Sequence, residues 1–204
     1  MKQKITVLDY GMGNLRSVSK ALEAEGASVI VSDKARDILK ADKLVFPGVG
    51  AFRDAMSELK SRKLVGPMME FIEGGKPFLG LCLGMQLLFD RSEEAVSCRG
   101  LGIIKGKVLK FRSRKLKIPH MGWNRLSGIK RGCPLFKGIP EGSYVYFVHS
   151  YYALPENRSS VSAYTDYGLK FASAIWSDNV YATQFHPEKS QALGLKIMRN
   201  FVKI

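Results

Sequence analysis

Apolar residues in the first half of the chain come in short runs. Each run is followed by a stretch where they recur every three or four positions. Ile5, Val7 and Leu8 open the pattern and predict a buried strand over residues 4–8. A polar, glycine-rich turn covers residues 9–14. Leu15, Val18 and Leu22 then share one face of a helix that Gly26 ends. The alternation continues with a strand over 27–31, a helix over 33–40 and a strand over 44–46 broken by Pro47-Gly48. A helix over 52–60 and a short one opened at Pro67 and closed by Gly74-Gly75 come next. A fourth strand over 77–81 runs directly into a helix predicted to continue through Phe89. Strands alternating with helices predict a parallel sheet covered on both faces.

The second half reads differently. Residues 103–112, 144–149, 162–167, 172–176 and 180–185 have strand patterns, and Asp178-Asn179 suits a tight hairpin turn between the last two. Leu193, Ile197 and Phe201 mark a final amphipathic helix. No linker-like composition and no repeat divides the chain. The expectation is one domain over 1–204. Its fold class is α/β: an open, largely parallel twisted sheet with helices on both faces, plus antiparallel strands in the C-terminal half.

Composition narrows the class without changing this picture. The chain has 204 residues, enough to bury a core without disulfides or a structural metal. Hydrophobic and charged shares of 46% and 25% are ordinary for globular proteins and exclude a disordered tail, a collagen or a coiled coil. No apolar run is long enough to cross a bilayer, and the basic N-terminus lacks the apolar stretch of a signal peptide. Cys82, Cys98 and Cys133 are too few and scattered for a disulfide framework or a zinc site. A soluble, cytoplasmic, reduced protein is expected. The formal charge of +14 favours polyanions or an acidic partner. Much of it crowds into Lys105, Lys107, Lys110, Arg112, Arg114, Lys115 and Lys117, with no acid among them. Binding to nucleic acid is not expected, because no aromatic platform is interleaved with the charge and no nucleic-acid fold signature is present.

The candidate chemistry begins at Gly80-Leu81-Cys82-Leu83-Gly84, between a predicted strand and a predicted helix. This is the pattern of a nucleophile elbow with Cys in the Ser position. Glycines two residues before and after the Cys permit the tight turn that lifts its sulfur toward a substrate. The N-terminus of the following helix favours the thiolate. The N–H of Leu83 is placed to hold an oxyanion. A thiolate needs a proton carrier, and there are three histidines: His120, His149 and His186. In Gln184-Phe185-His186-Pro187-Glu188, the proline holds its neighbour extended, so His186 and Glu188 can lean to the same side. Cys82, His186 and Glu188 thus form a candidate nucleophile, base and orienter. Pro47-Gly48-Val49-Gly50 ends the third strand, at the edge where open α/β sheets place their sites. It is a candidate second oxyanion donor. Gly11-Met12-Gly13 follows the first strand like a dinucleotide fingerprint, but Arg16 stands where its third glycine belongs. There is no Walker loop and no paired His/Cys spacing for a metal.

The elbow through Gln86, together with the segment 184–188, resembles the class I (triad) glutamine amidotransferases. Four segments narrow the resemblance to the glutaminase subunits of imidazole glycerol phosphate synthase: Asp9-Tyr10-Gly11-Met12-Gly13-Asn14-Leu15, Pro47-Gly48-Val49-Gly50-Ala51-Phe52, Pro119-His120-Met121-Gly122-Trp123-Asn124, and Gln184 through Ser190. It spans nearly the whole chain. The resemblance implies that Cys82 attacks the side-chain amide of L-glutamine and forms a glutamyl thioester. His186 moves the protons and Glu188 orients it. Leu83 and the Val49-Gly50 segment hold the oxyanion, while Gln86, His149, Ser150 and Tyr151 contact the substrate. It implies a heterodimer with a (β/α)8-barrel cyclase subunit, which uses the ammonia in histidine biosynthesis. Pro119, His120, Met121, Gly122, Trp123 and Asn124 would lie at that contact. Neither cofactor nor metal is implied. Paralogous pairs that amidate bacterial surface sugars keep the same triad, so the triad leaves that pathway open.

Overall fold

The computed structural model describes residues 3–113 and 115–204. Met1 and Lys2 of the basic N-terminus, and Arg114 of the basic stretch, lie outside the described residues.

Period-two alternation decides which residues face which layer. The first strands and helices are β1 (Lys4–Leu8), α1 (Leu15–Ala24), β2 (Ser28–Ser32), α2 (Ala35–Leu39) and β3 (Lys43–Gly48). They are followed by α3 (Phe52–Ser61), α4 (Val65–Glu73), β4 (Phe78–Cys82) and α5 (Leu83–Leu87). Ile5 and Val7 of β1, Val45 of β3, and Leu79 and Leu81 of β4 belong to one buried cluster, which also takes in Val18 and Leu22 of α1. Leu8, Leu44, Phe46 and Phe78 point the other way, into a second cluster with Phe52, Leu59, Met68 and Phe71 of α3 and α4. β1, β3 and β4 thus each feed two cores, and helices cover both faces of the sheet.

The later elements are β5 (Phe89–Ser92), β6 (Ile104–Lys110), β7 (His120–Arg125), β8 (Tyr144–His149) and β9 (Tyr151–Pro155). They end with β10 (Val161–Asp166), β11 (Lys170–Ser177), β12 (Val180–Thr183) and α6 (Gln191–Lys203). The main sheet runs β2-β1-β3-β4-β12-β11-β9-β6-β5, with β10 added on β11. From β2 to β12 the pairing is parallel; β12 to β11, β11 to β9 and β9 to β6 pair antiparallel. β7 and β8 form a separate antiparallel ribbon. Ser177 pairs with Val180, so Asp178-Asn179 is the expected two-residue turn, with Asp178 at φ 52°.

One expectation needs correction, and two strands lie where none was expected. The helix after Cys82 does not reach Phe89. It stops at Leu87 because Phe89 opens β5 and pairs with Ile104 of β6. The segment 119–124, read as a partner-contact motif, supplies strand β7, whose mixed polarity and Gly122 hide its alternation. Tyr151–Pro155 also adds an unexpected strand, pairing with β6 along its length.

Lys43 illustrates how the ends of elements are secured. It is buried, and its Nζ donates to the Phe201 and Val202 carbonyls of the last turn of α6, at 3.2 and 2.9 Å. Burial pulls the ammonium pKa down, against the opposing charge of Asp42. The ammonium satisfies helix carbonyls that have no partner within the helix. Lys43→Met keeps the stem and removes the donors. It should lower unfolding free energy by about 1.5–3 kcal/mol, seen as a lower urea midpoint at unchanged slope.

Candidate active site

Parallel register brings the candidate residues to one edge. β3 and β4 pair Gly48 with Cys82, and β4 and β12 pair Leu81 with Thr183. Both neighbours of the nucleophile strand therefore deliver their next residues beside the sulfur: Val49-Gly50 from one side and Gln184 to His186 from the other. This is the carboxyl edge of the sheet, where α/β sites lie.

Cys82 has φ 54° and ψ −107°, a backbone conformation that a residue with a side chain seldom adopts. The strain is held by close packing. A Cβ at Gly84 would lie 2.1 Å from the Phe46 carbonyl oxygen, and one at Gly48 would lie 2.6 Å from the Tyr10 hydroxyl. Both clashes leave little room to relax. Gly84→Ala should destabilise the protein by about 3 kcal/mol, the upper end of overpacking costs, and lower the thermal midpoint accordingly. Gly50 sits at φ 93°, so the segment beside the sulfur depends on glycine's access to that region.

His186 follows β12 and is held by its backbone. Its N–H donates to the Tyr146 carbonyl at 2.9 Å, and its own carbonyl accepts from Ser190 Oγ at 2.6 Å. Its Nδ1 is 2.8 Å from Glu188 Oε1, and both side chains are almost fully buried. Nε2 has no hydrogen-bond partner among the described residues. Burial disfavours the imidazolium, but the Cys82 thiolate and the Glu188 carboxylate outweigh it and raise its pKa to about 10. Both neighbours therefore favour a protonated imidazole. Tyr10 is buried, and desolvation, followed by the Cys82 charge, drives its phenol pKa up.

Cys82 and His186 line one cleft of about 350 Å³ with Val49, Gly50, Leu83, Gln86, His149, Ser150 and Tyr151. Every residue read as catalytic, oxyanion-binding or substrate-contacting, except Glu188, meets at this cleft. Glu188 stands behind His186. The cleft also holds Glu94 and Lys189, which the sequence reading passed over. Gln184 was passed over as well. It is fully buried, donates from Nε2 to Cys82 Sγ at 3.7 Å and accepts from Gln86 Nε2 at 3.0 Å. Its position two residues before His186 on an extended segment was the available signal.

The segment 119–124 divides by face. His120 is buried, stacked between Tyr167 and Phe147 with centroids 4.0 and 4.8 Å away. Asn124 is half-buried and Gly122 partly covered. Pro119, Met121 and Trp123 are exposed, Met121 at 62% and Trp123 at 45%. With Tyr144, Tyr146 and Val148 of β8 they form an apolar outer face, and Pro119 and Val148 also line the cleft. The basic stretch behaves as a solvated strand face in part: Lys105 pairs with Asp90 and Arg112 with Glu93, at 3.1 and 3.2 Å. Among the described residues there is no cluster of three potential metal ligands and no helix long and apolar enough to cross a membrane.

Burial pulls the pKa of His149 down to about 3 and that of His120 to about 4. For histidines depressed in the folded state, the unfolded chain takes up the proton first, near pH 6.5. These two histidines contribute no pH dependence above that value, and stability falls as pH drops from about 6.5 toward 4. The slope reaches at most about 1.4 kcal/mol per pH unit for each histidine. Urea unfolding at pH 7, 6, 5 and 4.5 would measure it. A flat profile would contradict neutral burial of the pair.

Residues 6–204 match the family described as glutamine amidotransferase class-I. The chain is 53% identical to the imidazole glycerol phosphate synthase subunit HisH of Syntrophotalea carbinolica over 203 residues, 97% of this chain and 98% of the relative. It is 55% identical to that of Aquifex aeolicus, over 97% of this chain and 95% of the relative. Among solved structures, PurLQS from Thermotoga maritima superposes with a TM-score of 0.76 at 20% identity, covering 100% of this chain and 99% of that one. A crystal structure described as glutamine amidotransferase also gives 0.76, at 17% identity, covering 98% of this chain and 97% of that one. Those two likenesses speak to the fold; the family match and the close relatives speak to descent. The chain belongs to the class I glutamine amidotransferases.

Proposed function

We propose that this chain is the glutaminase subunit of an imidazole glycerol phosphate synthase, a cytoplasmic heterodimer with a (β/α)8-barrel cyclase. It hydrolyses L-glutamine to glutamate and supplies the ammonia for imidazole glycerol phosphate formation in histidine biosynthesis. The observation that carries this reading is a backbone-strained Cys82 sharing one cleft with His186, whose imidazole Glu188 holds from behind.

In this mechanism the Cys82 thiolate attacks the side-chain amide carbon of glutamine, and the carbonyl oxygen takes the negative charge. Leu83 N–H and an amide of Val49-Gly50 stabilise that oxyanion. The C–N bond then breaks, the His186 imidazolium protonates the leaving nitrogen, and ammonia departs, leaving a glutamyl thioester. Once the sulfur is bonded to carbon, its charge no longer supports the imidazolium. His186 therefore becomes a stronger acid when the leaving group needs a proton. Water, deprotonated by the now neutral His186, attacks the thioester and regenerates thiolate, imidazolium and glutamate. Glu94 and Lys189 offer opposite charges along the cleft, suited to the ammonium and carboxylate of an amino acid.

The apolar outer face of the β7–β8 ribbon borders the cleft mouth, as a surface covered by the cyclase should. Synthase-named relatives at 53% and 55% identity support the histidine pathway over surface-sugar amidation. The test is glutamate and ammonia formation from L-glutamine, measured for the chain alone and with a cyclase subunit of the synthase. Slow turnover alone that rises on adding the cyclase is expected. No turnover with the cyclase would overturn the reading.

A further inference from the structure

A continuous line of hydrogen bonds runs along the inner side of the β7–β8 ribbon to the nucleophile. Asn124 Nδ2 lies 2.9 Å from the Asp166 carbonyl and 3.2 Å from His120 Nε2. His120 Nδ1 lies 2.8 Å from His149 Nε2, and His149 Nδ1 lies 2.7 Å from the Tyr151 carbonyl. That carbonyl also accepts from Gln86 Nε2 at 3.1 Å. Gln86 in turn donates to Gln184, whose amide donates to Cys82 Sγ.

One placement of protons satisfies the whole line. The Tyr151 carbonyl can only accept, so His149 carries its proton on Nδ1 and accepts at Nε2. His120 must then carry its proton on Nδ1 and accept at Nε2 from the Asn124 amide. The Asn124 oxygen is fixed independently, because it accepts from the Arg125 N–H at 2.7 Å. Both imidazoles are neutral and share the Nδ1–H tautomer, which free histidine disfavours; a neighbouring hydrogen bond sets such a choice. The rings have no room to turn. His120 is stacked between Tyr167 and Phe147, and Phe111 meets both histidine rings edge-on.

Alternation along β7 gives this line its location. His120 and Asn124 face inward from the same strand that turns Met121 and Trp123 outward. We propose that Asn124, His120 and His149 are positioning residues that fix the Tyr151 carbonyl and, through it, Gln86 and Gln184 against Cys82. A shift of the ribbon's outer face is thereby carried to the sulfur. This deepens the glutaminase reading and rests on it for its kinetic consequence, but the proton arrangement stands on the hydrogen bonds alone.

The first test is long-range proton–nitrogen NMR on the full chain at pH 7. Both His120 and His149 should give the Nδ1–H pattern. An Nε2–H or cationic pattern at either would overturn the proposal. The second uses His120→Phe, which keeps an aromatic ring in the stack but cuts the line, and His120→Asn, whose amide can stand in for the Nδ1–H. With the cyclase present, His120→Phe should lower kcat for glutamine at least tenfold while KM changes less than threefold. His120→Asn should recover most of the loss. The alkylation rate of Cys82 by iodoacetamide, read without substrate or cyclase, should follow the same order. Equal alkylation and kcat within twofold of wild type for folded His120→Phe would overturn the proposal. If that variant does not fold, Asn124→Leu, expected to show the same losses, replaces it under the same criteria. Absence of turnover in the wild type would count against the glutaminase reading, leaving the tautomer and alkylation readouts to decide the line.

Discussion

Replacing Cys82 with glycine is expected to remove glutamine hydrolysis and to make the protein more stable. The two effects share one cause. At φ 54° and ψ −107° the backbone of Cys82 is strained, and such strain costs on the order of 1–3 kcal/mol in a residue with a Cβ. Glycine relieves most of it, offset by about 0.5–1 kcal/mol for its freer unfolded chain. A net gain of about 1–2 kcal/mol should raise the thermal midpoint by roughly 2–8 °C for a chain of this size. Activity should fall by at least about 10⁴-fold, as when a nucleophile is taken from a group acting as a unit. Cys82→Ala separates the effects: it loses the same activity but keeps a Cβ, so its midpoint should stay near wild type. Calorimetry and an ammonia assay with the cyclase present measure both. A glycine variant that retains turnover would refute the nucleophile, and one that is less stable would refute the strain.

That pairing explains why the neighbourhood of the sulfur is so tightly packed. The strain is sustained by register: Gly48 beside Cys82, and Gly84 against the Phe46 carbonyl, leave the turn nowhere to relax. The loop after β1 joins this support. Tyr10 meets Gly48, the Met12 methyl would meet a Cβ on Gly50 at 2.7 Å, and Pro47 packs on Gly13. The glycine-rich turn that imitates a dinucleotide fingerprint is therefore a seat for the segment beside the nucleophile.

How much of this was legible in the sequence depended on the range of the interaction. Local patterns carried the elements: alternation in β1, β3 and β4, the Gly26 stop and the Asp178-Asn179 turn each need only a few neighbours. The elbow was legible because its glycines flank the cysteine, and His186 with Glu188 because they lie two residues apart. Long-range partners set the rest. Gln184 sits two residues before His186, but its partner Gln86 lies far back in the chain and cannot be read from that position. β7 escaped notice because its inner positions are polar, His120 and Asn124, while its apolar Met121 and Trp123 face outward. That inversion is unexpected for a strand over a core. It makes sense because the inner residues bond to each other while Met121 and Trp123 stay exposed. Lys43 is buried only because α6, far along the chain, closes over it.

Changing Glu188 to glutamine should produce the second large loss, with a signature in pH. The exchange keeps the shape and one acceptor for the His186 Nδ1–H, now 2.8 Å from Glu188 Oε1, so the fold should survive. It removes a buried charge that, with the thiolate, lifts the imidazole pKa to about 10 against desolvation. kcat should fall by about 10²–10⁴-fold, comparable to neutralising the orienting carboxylate of other triads, with little change in KM. The sign of the pH effect follows from the raised pKa. In the wild type the stabilisation from the imidazolium is complete below about pH 6.5 and is lost as pH rises through about 10. The same ceiling limits the thiolate–imidazolium pair in catalysis. Without the carboxylate the imidazolium loses its proton at lower pH. The alkaline limb of kcat/KM, and the alkaline loss of stability, should both move down the pH scale. An unshifted limb with kcat within a few-fold of wild type would show that Glu188 neither charges nor orients His186, and that only the thiolate holds the proton in place.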